Sequence, residues 1–182
     1  MSTFTAYPTV DGYITLANNY SGRGSMTWEE VVQEPAGTSV NASSTYLYIE
    51  ASKSTRGGEW LCNRTVMYFN LSSMPAGAVI SAATLSVYTN FYSIADTNGQ
   101  RFKLMKWTGA ALISTADYND FDNSVTTGIQ SAITGTGAAV LPIDSDLLSY
   151  LQANPQGDGS NRFPVMMRMN YDEDDDTGGT SG

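Results

Sequence analysis

The residues of this chain best suited to chemistry are carboxylates and flat aromatic rings. The densest group is the acidic run Asp172, Glu173, Asp174, Asp175 and Asp176, with Asn170 two positions before it. Calcium takes six to eight oxygen ligands, and closely spaced carboxylates on a loop can supply them. Asn170, Asp172, Asp174 and Asp176 are therefore the candidate calcium ligands. The competing reading is a solvated negative loop, because five adjacent acids cannot all turn inward and the spacing is not that of an EF-hand. A second acidic stretch, DYNDFDN, offers Asp117, Asp120 and Asp122 with Asn119 and Asn123. It reads as a loop, but it lacks the glycine and the distal glutamate of a known calcium loop.

The second chemistry is stacking. The chain has eleven tyrosines and three tryptophans. Saccharide sites set flat rings against pyranose faces, with polar side chains at the rim. Trp28, Tyr46, Tyr48 and Trp60 are the candidate platforms, with Arg56 and Glu59 beside them. Against this, Trp60 and Trp107 can simply anchor the core, and outward tyrosines can fill strand surfaces or subunit contacts.

Composition removes most catalytic alternatives. The 182 residues include no histidine and one cysteine, Cys62. Neither a Ser-His-Asp nor a Cys-His nucleophile can be assembled, zinc lacks its usual ligands, and no internal disulfide can form. A carboxylate pair is the remaining easy route to hydrolysis, and no spacing singles one out. The chain is expected not to be an enzyme. Cys62, beside Trp60 and Leu61, reads as a small core residue. Arg64 is expected to be buried or half-buried, paired with a carboxylate such as Asp11 or Asp117.

Nine basic residues stand against eighteen acidic ones, giving a net charge of −9. Five of those charges lie in 172–176, so the rest of the chain carries −4. That balance argues against nucleic acid as a partner. No window approaches the length of a membrane span. The N-terminal MSTFTAYPTVDGY has no basic region leading into an apolar stretch. The expectation is a mature fragment, or a chain that reaches its place by assembly or lysis.

These residues must be positioned by strands. Serine and threonine together number 40, glycine 17, and only 15% of the chain is charged, a balance that favours strands joined by turns. Period-two runs put Leu47 and Ile49 on one face with Tyr46 and Tyr48 on the other, and Leu85 and Val87 opposite Ser86 and Tyr88. In the run 162–169, Phe163, Val165, Met167 and Met169 lie opposite Arg162, Met166 and Arg168, which predicts a half-buried strand. Pro164 should then fall near a strand start or on an edge. Further strands are expected at 12–16, 65–69, 102–107 and 139–143. A short helix is expected where Asp144 or Ser145 can cap it, Leu147, Leu148 and Leu151 form an apolar stripe, and Asn154-Pro155 stops it. The predicted fold is all-β: an antiparallel two-sheet β-sandwich, jelly-roll-like, with one short helix. The domain is expected to cover 1–171, with 172–182 an acidic Gly/Ser/Thr loop or tail.

The stretch 63–88, NRTVMYFNLSSMPAGAVISAATLSVY, resembles the signature of the DNRLRE, or disaggregatase-related, β-sandwich modules, which are allied to a carbohydrate-binding module family. The likeness lies in an arginine, an aromatic strand ending in Phe-Asn-Leu-Ser, a Pro/Gly loop, and then Ile80-Ser81-Ala82 leading into a second strand. Weaker likenesses extend to Asp11–Ile14, Trp28, Ala116–Tyr118, the Leu147–Leu151 segment and Val165–Arg168. The resemblance implies a module without catalysis of its own, found on glycan-active enzymes, cell-surface proteins and phage structural proteins. Members usually continue past the acidic loop into a final hydrophobic strand, whereas this sequence ends TGGTSG. That departure raises the expectation of either a truncated chain or a strand supplied by a neighbour.

The leading expectation is a non-enzymatic structural or assembly module of a phage virion or extracellular assembly, as a decoration, fibre or filament subunit. Its partners would be other protein subunits, either copies of itself or capsid and tail proteins. The alternative is a carbohydrate-binding module, calcium-dependent if the acidic run binds metal, with glycans as its partners.

Overall fold

The computed structural model describes residues 3–17, 27–42, 46–53, 60–90, 102–109, 112–128, 135–155, 157 and 159–169. Among the described residues, nine strands fall in chain order: β1 (Pro8–Ala17), β2 (Ser39–Asn41), β3 (Glu50–Lys53), β4 (Trp60–Asn70), β5 (Ala83–Thr89), β6 (Phe102–Trp107), β7 (Phe121–Thr126), β8 (Gly137–Ile143) and β9 (Arg162–Met169). The large sheet runs β2-β1-β4-β9-β6-β7, with β3 also paired to β4, and the small sheet is β5-β8. Every pairing among the described strands is antiparallel. Among the described strands the chain crosses between the sheets after β4, β5, β7 and β8, giving the expected all-β, jelly-roll-like two-sheet sandwich.

The expected helix is α2 (Ser145–Ala153), with Leu147 and Leu151 buried. Asp144 occupies its N-cap position, but Asp144 Oδ1 accepts the Gly128 N–H at 2.8 Å, tying the helix start to the chain after β7. A six-residue helix, α1 (Trp28–Gln33), was not expected. Its start is a reciprocal cap: Thr27 Oγ1 accepts the Glu30 N–H, and Glu30 Oε2 accepts the Thr27 N–H. No helix of the described residues is long and apolar enough to cross a membrane.

Alternation along the central strands separates two cores. On one face Met67, Phe102, Leu104, Phe163, Val165, Met167 and Met169 meet Leu85, Leu141 and Ile143 of the small sheet and Leu147 and Leu151 of α2. On the opposite face Ile14, Leu16, Cys62, Val66, Met105, Trp107 and Met166 meet Trp28 and Val31 of α1 and Tyr118. Tyr118 lies in a 3₁₀ turn, Thr115–Asn119. The large sheet is therefore covered on both sides.

This corrects the half-buried reading of 162–169. Met166 and Arg168 are as buried as the face opposite them, because β9 lies between β4 and β6 under the α1 side of the molecule. Arg168 tolerates that burial with its guanidinium 4.3 Å from the Phe121 ring centroid. Pro164 pairs with Tyr68 on β4, and the register with β6 begins one residue later, at Val165. It thus sits at the start of β9, where an absent N–H costs no ladder bond to β6.

The strand expected at 46–50 begins only at Glu50. Leu47 and Ile49 still pack toward the core while Tyr46 and Tyr48 stay exposed. The Tyr48 carbonyl accepts from the Thr65 hydroxyl at 2.9 Å, and the regular ladder with β4 starts two residues later. In the Pro/Gly loop after β4, Gly77 adopts φ +76°, a left-handed conformation that glycine takes without steric penalty.

Candidate functional site

The register of β1, β3 and β4 brings a group of polar residues together. Tyr13 lies opposite Thr65, Thr15 opposite Asn63, and Glu50 opposite Asn63 on the other side. Asn63 is the hub. Its Oδ1 accepts from the Thr15 hydroxyl at 2.6 Å and its Nδ2 donates to Glu50 Oε2 at 3.1 Å. The Ser52 hydroxyl donates to Glu50 Oε1 at 2.8 Å, so both carboxylate oxygens are held. Asn63 and Thr65 are buried, while Thr15, Glu50 and Ser52 are half-buried.

Tyrosines border this network. The rings of Tyr13 and Tyr48 meet edge to face, with centroids 5.0 Å apart, and the Asn41 amide donates to the Tyr13 hydroxyl at 3.4 Å. Tyr48 is 48% exposed and Tyr46 52%. A fixed carboxylate and exposed ring surface on neighbouring strands are the hydrogen-bond acceptors and apolar faces that a polyol requires.

The other candidate platforms lie elsewhere. Trp28 is 4% exposed and Trp60 7%, and their rings pack against each other at 5.1 Å between α1 and β4. Their faces are spent on the core, so neither offers a stacking surface. Arg56 and Glu59, and the candidate calcium ligands Asn170, Asp172, Asp174 and Asp176, lie outside the described residues. Tyr13, Thr15, Asn41, Glu50 and Asn63 were missed by sequence reasoning. Tyr13 and Thr15 share one face by period two, but only the register with β4 reveals what they face.

The stretch DYNDFDN forms the 3₁₀ turn and the start of β7, and its side chains are engaged locally. Asp117 is buried and accepts from the N–H and the hydroxyl of Ser114, at 2.7 and 2.8 Å. Asn119 donates to the Glu34 carbonyl at 2.7 Å. Asp122 lies in β7 and accepts from the N–H and hydroxyl of Ser124. These side chains therefore serve local turns and links. Among the described residues, no three of the His, Cys, Asp and Glu side chains converge as metal ligands. The Asp120 carboxyl is held above its ordinary 3.8 by burial and by the charge and hydrogen bond of Asp117, whereas the Ser124 hydrogen bonds pull Asp122 below it.

Arg64 is fully buried and clamps this region. Nη1 donates to the Tyr118 carbonyl at 2.7 Å and to Asn119 Oδ1, and Nη2 donates to the Val32 carbonyl. The guanidinium also lies 3.9 Å from the Tyr118 ring centroid. Its anchorage through backbone carbonyls, an amide and a ring explains how the cation is accommodated on the sheet. This cluster joins β4, α1 and the 3₁₀ turn, and its role is structural.

No family model, no curated protein and no solved structure matches this chain.

Proposed function

We propose that this chain is a non-enzymatic structural module, a decoration, fibre or filament subunit of a phage particle or extracellular assembly. The observation that carries the reading is the small sheet. Among the described residues, β5 and β8 pair only with each other. Their outward face carries Tyr88, 73% exposed, and Val140, 63% exposed. A two-stranded sheet with an exposed apolar side is poorly supported alone and suits contact with another subunit. The resemblance of 63–88 and the absence of histidine support the same reading. Size-exclusion chromatography and negative-stain microscopy of the purified chain test it. Self-association or ordered particles are expected, and a chain that stays monomeric and featureless contradicts it.

A second reading, carbohydrate binding, is favoured by the fixed Glu50 carboxylate and by the rings of Tyr13 and Tyr48. Glycan-array binding that disappears in Tyr48→Ala supports it, and an array without signal removes it. Calcium dependence of that binding would rest on Asn170, Asp172, Asp174 and Asp176. It is read from the same array after chelation.

A further inference from the structure

Sheet edges invite pairing, and proteins blunt them with short strands, charges, prolines or bulges. Among the described residues, four edge strands carry such devices. β2 is three residues long. β3 is four residues long and bears Glu50 and Lys53. β7 bears Asp122, and its pairing with β6 shifts register. β8 contains Pro142. β5 carries none of them: its seven residues, ATLSVYT, include no charge, no proline and no glycine. Among the described residues it has β8 on one side only.

We propose that the β5 edge pairs with β5 of a second copy of this chain, resting on the assembly reading above. Each copy carries a net charge of −9, so two copies approach most favourably along an uncharged strip, and β5 is such a strip. A two-fold contact is the simplest closed symmetry. Full antiparallel overlap of residues 83–89 places the axis at Ser86. Ser86 then faces its own copy, and Thr84 faces Tyr88 of the other. Leu85 and Val87, which point into the first core, line up with Val87 and Leu85 of the second. The result is a four-stranded sheet in the order β8-β5-β5-β8. It joins two cores edge to edge and lengthens the marginal two-stranded sheet.

The full chain tests this by sedimentation velocity over a concentration series. The wild type is expected to form a dimer. Ser86→Lys sets two like charges directly opposite each other, and is expected to weaken the dimer on the order of tenfold or more, with unchanged far-UV circular dichroism. Ser86→Cys is expected to give a disulfide-linked dimer on mild oxidation, whereas Val79→Cys, on a 93% exposed position ahead of β5, is not. Buried Cys62 does not compete in that reaction. Self-association that persists in Ser86→Lys, or equal cross-linking by both cysteines, overturns the β5 site and leaves the assembly reading standing. A wild type that is monomeric at every concentration and featureless in negative stain overturns both.

Discussion

Arg64 in the middle of β4 reaches the Val32 carbonyl with Nη2 at 2.9 Å, tying α1 to the large sheet. The same guanidinium holds the Tyr118 carbonyl at 2.7 Å. One side chain thus fixes the two pieces that cover the α1 face of the sheet. Arg64→Ala leaves both carbonyls without their cationic donor and opens a cavity, and is expected to cost about 3–5 kcal/mol. Arg64→Lys keeps the charge but loses the planar fork, and about 1–3 kcal/mol is expected. Urea denaturation of the two variants measures both values.

Trp28 and Tyr48 separate a core ring from a surface ring. Trp28→Ala removes a buried indole and is expected to cost about 3–5 kcal/mol. Tyr48→Ala loses its edge-to-face contact with Tyr13, and about 1 kcal/mol is expected. Thermal melts rank the two. A saccharide signal lost in Tyr48→Ala with near-native stability reports on the surface, whereas one lost in Trp28→Ala reports on folding.

Gly109 marks a close approach. A Cβ built there collides with Trp107 Nε1 and stands 2.6 Å from Asp117 Oδ1. The Gly109 carbonyl also accepts from the Tyr68 hydroxyl at 2.9 Å, which limits retreat of the backbone. Gly109→Ala is expected to cost about 1–3 kcal/mol through overpacking. Near-UV circular dichroism of Trp107 should change with it, and an unchanged spectrum and melt would refute the clash.

Asp120 and Asp122 pull stability in opposite directions with pH. Asp120 binds its proton more tightly in the folded chain, so it favours folding below its ordinary pKa, and that contribution is lost as pH rises through the raised value. Asp120→Asn should therefore be more stable than wild type at neutral pH, with the advantage vanishing in acid. Asp122 releases its proton more readily when folded, so its contribution is present above its ordinary pKa and is lost as pH falls through the depressed value. Asp122→Asn should be less stable at neutral pH, with the deficit closing in acid. Melting temperatures across an acid-to-neutral series test both signs.

The strand periodicities were legible wherever one local pattern decided the outcome. The β6 run 102–107 matches the observed strand end to end, and β9 spans the expected 162–169. The Leu147/Leu151 stripe likewise marked α2. What local pattern missed was burial of the second face. Met166 looked outward because its neighbours include Arg162 and Arg168, yet a guanidinium stacked on Phe121 is compatible with a buried face. The Thr27–Glu30 cap was readable at the start of α1, but one short turn after a polar stretch carries little periodic signal. Tyr46 and Tyr48 were legible as surface rings. The Thr15–Asn63–Glu50 network was not, because its members are up to 48 residues apart and meet only through strand register.

Buried Arg64, Asp117 and Asn63 hold strands and turns together.

The most direct test of the assembly account is the mass of the purified wild-type chain by sedimentation equilibrium over a wide concentration range. The account predicts an average mass that rises above the 19.6 kDa of the single chain as concentration increases. A mass that stays at the monomer value throughout, with no particles in negative stain, would contradict it.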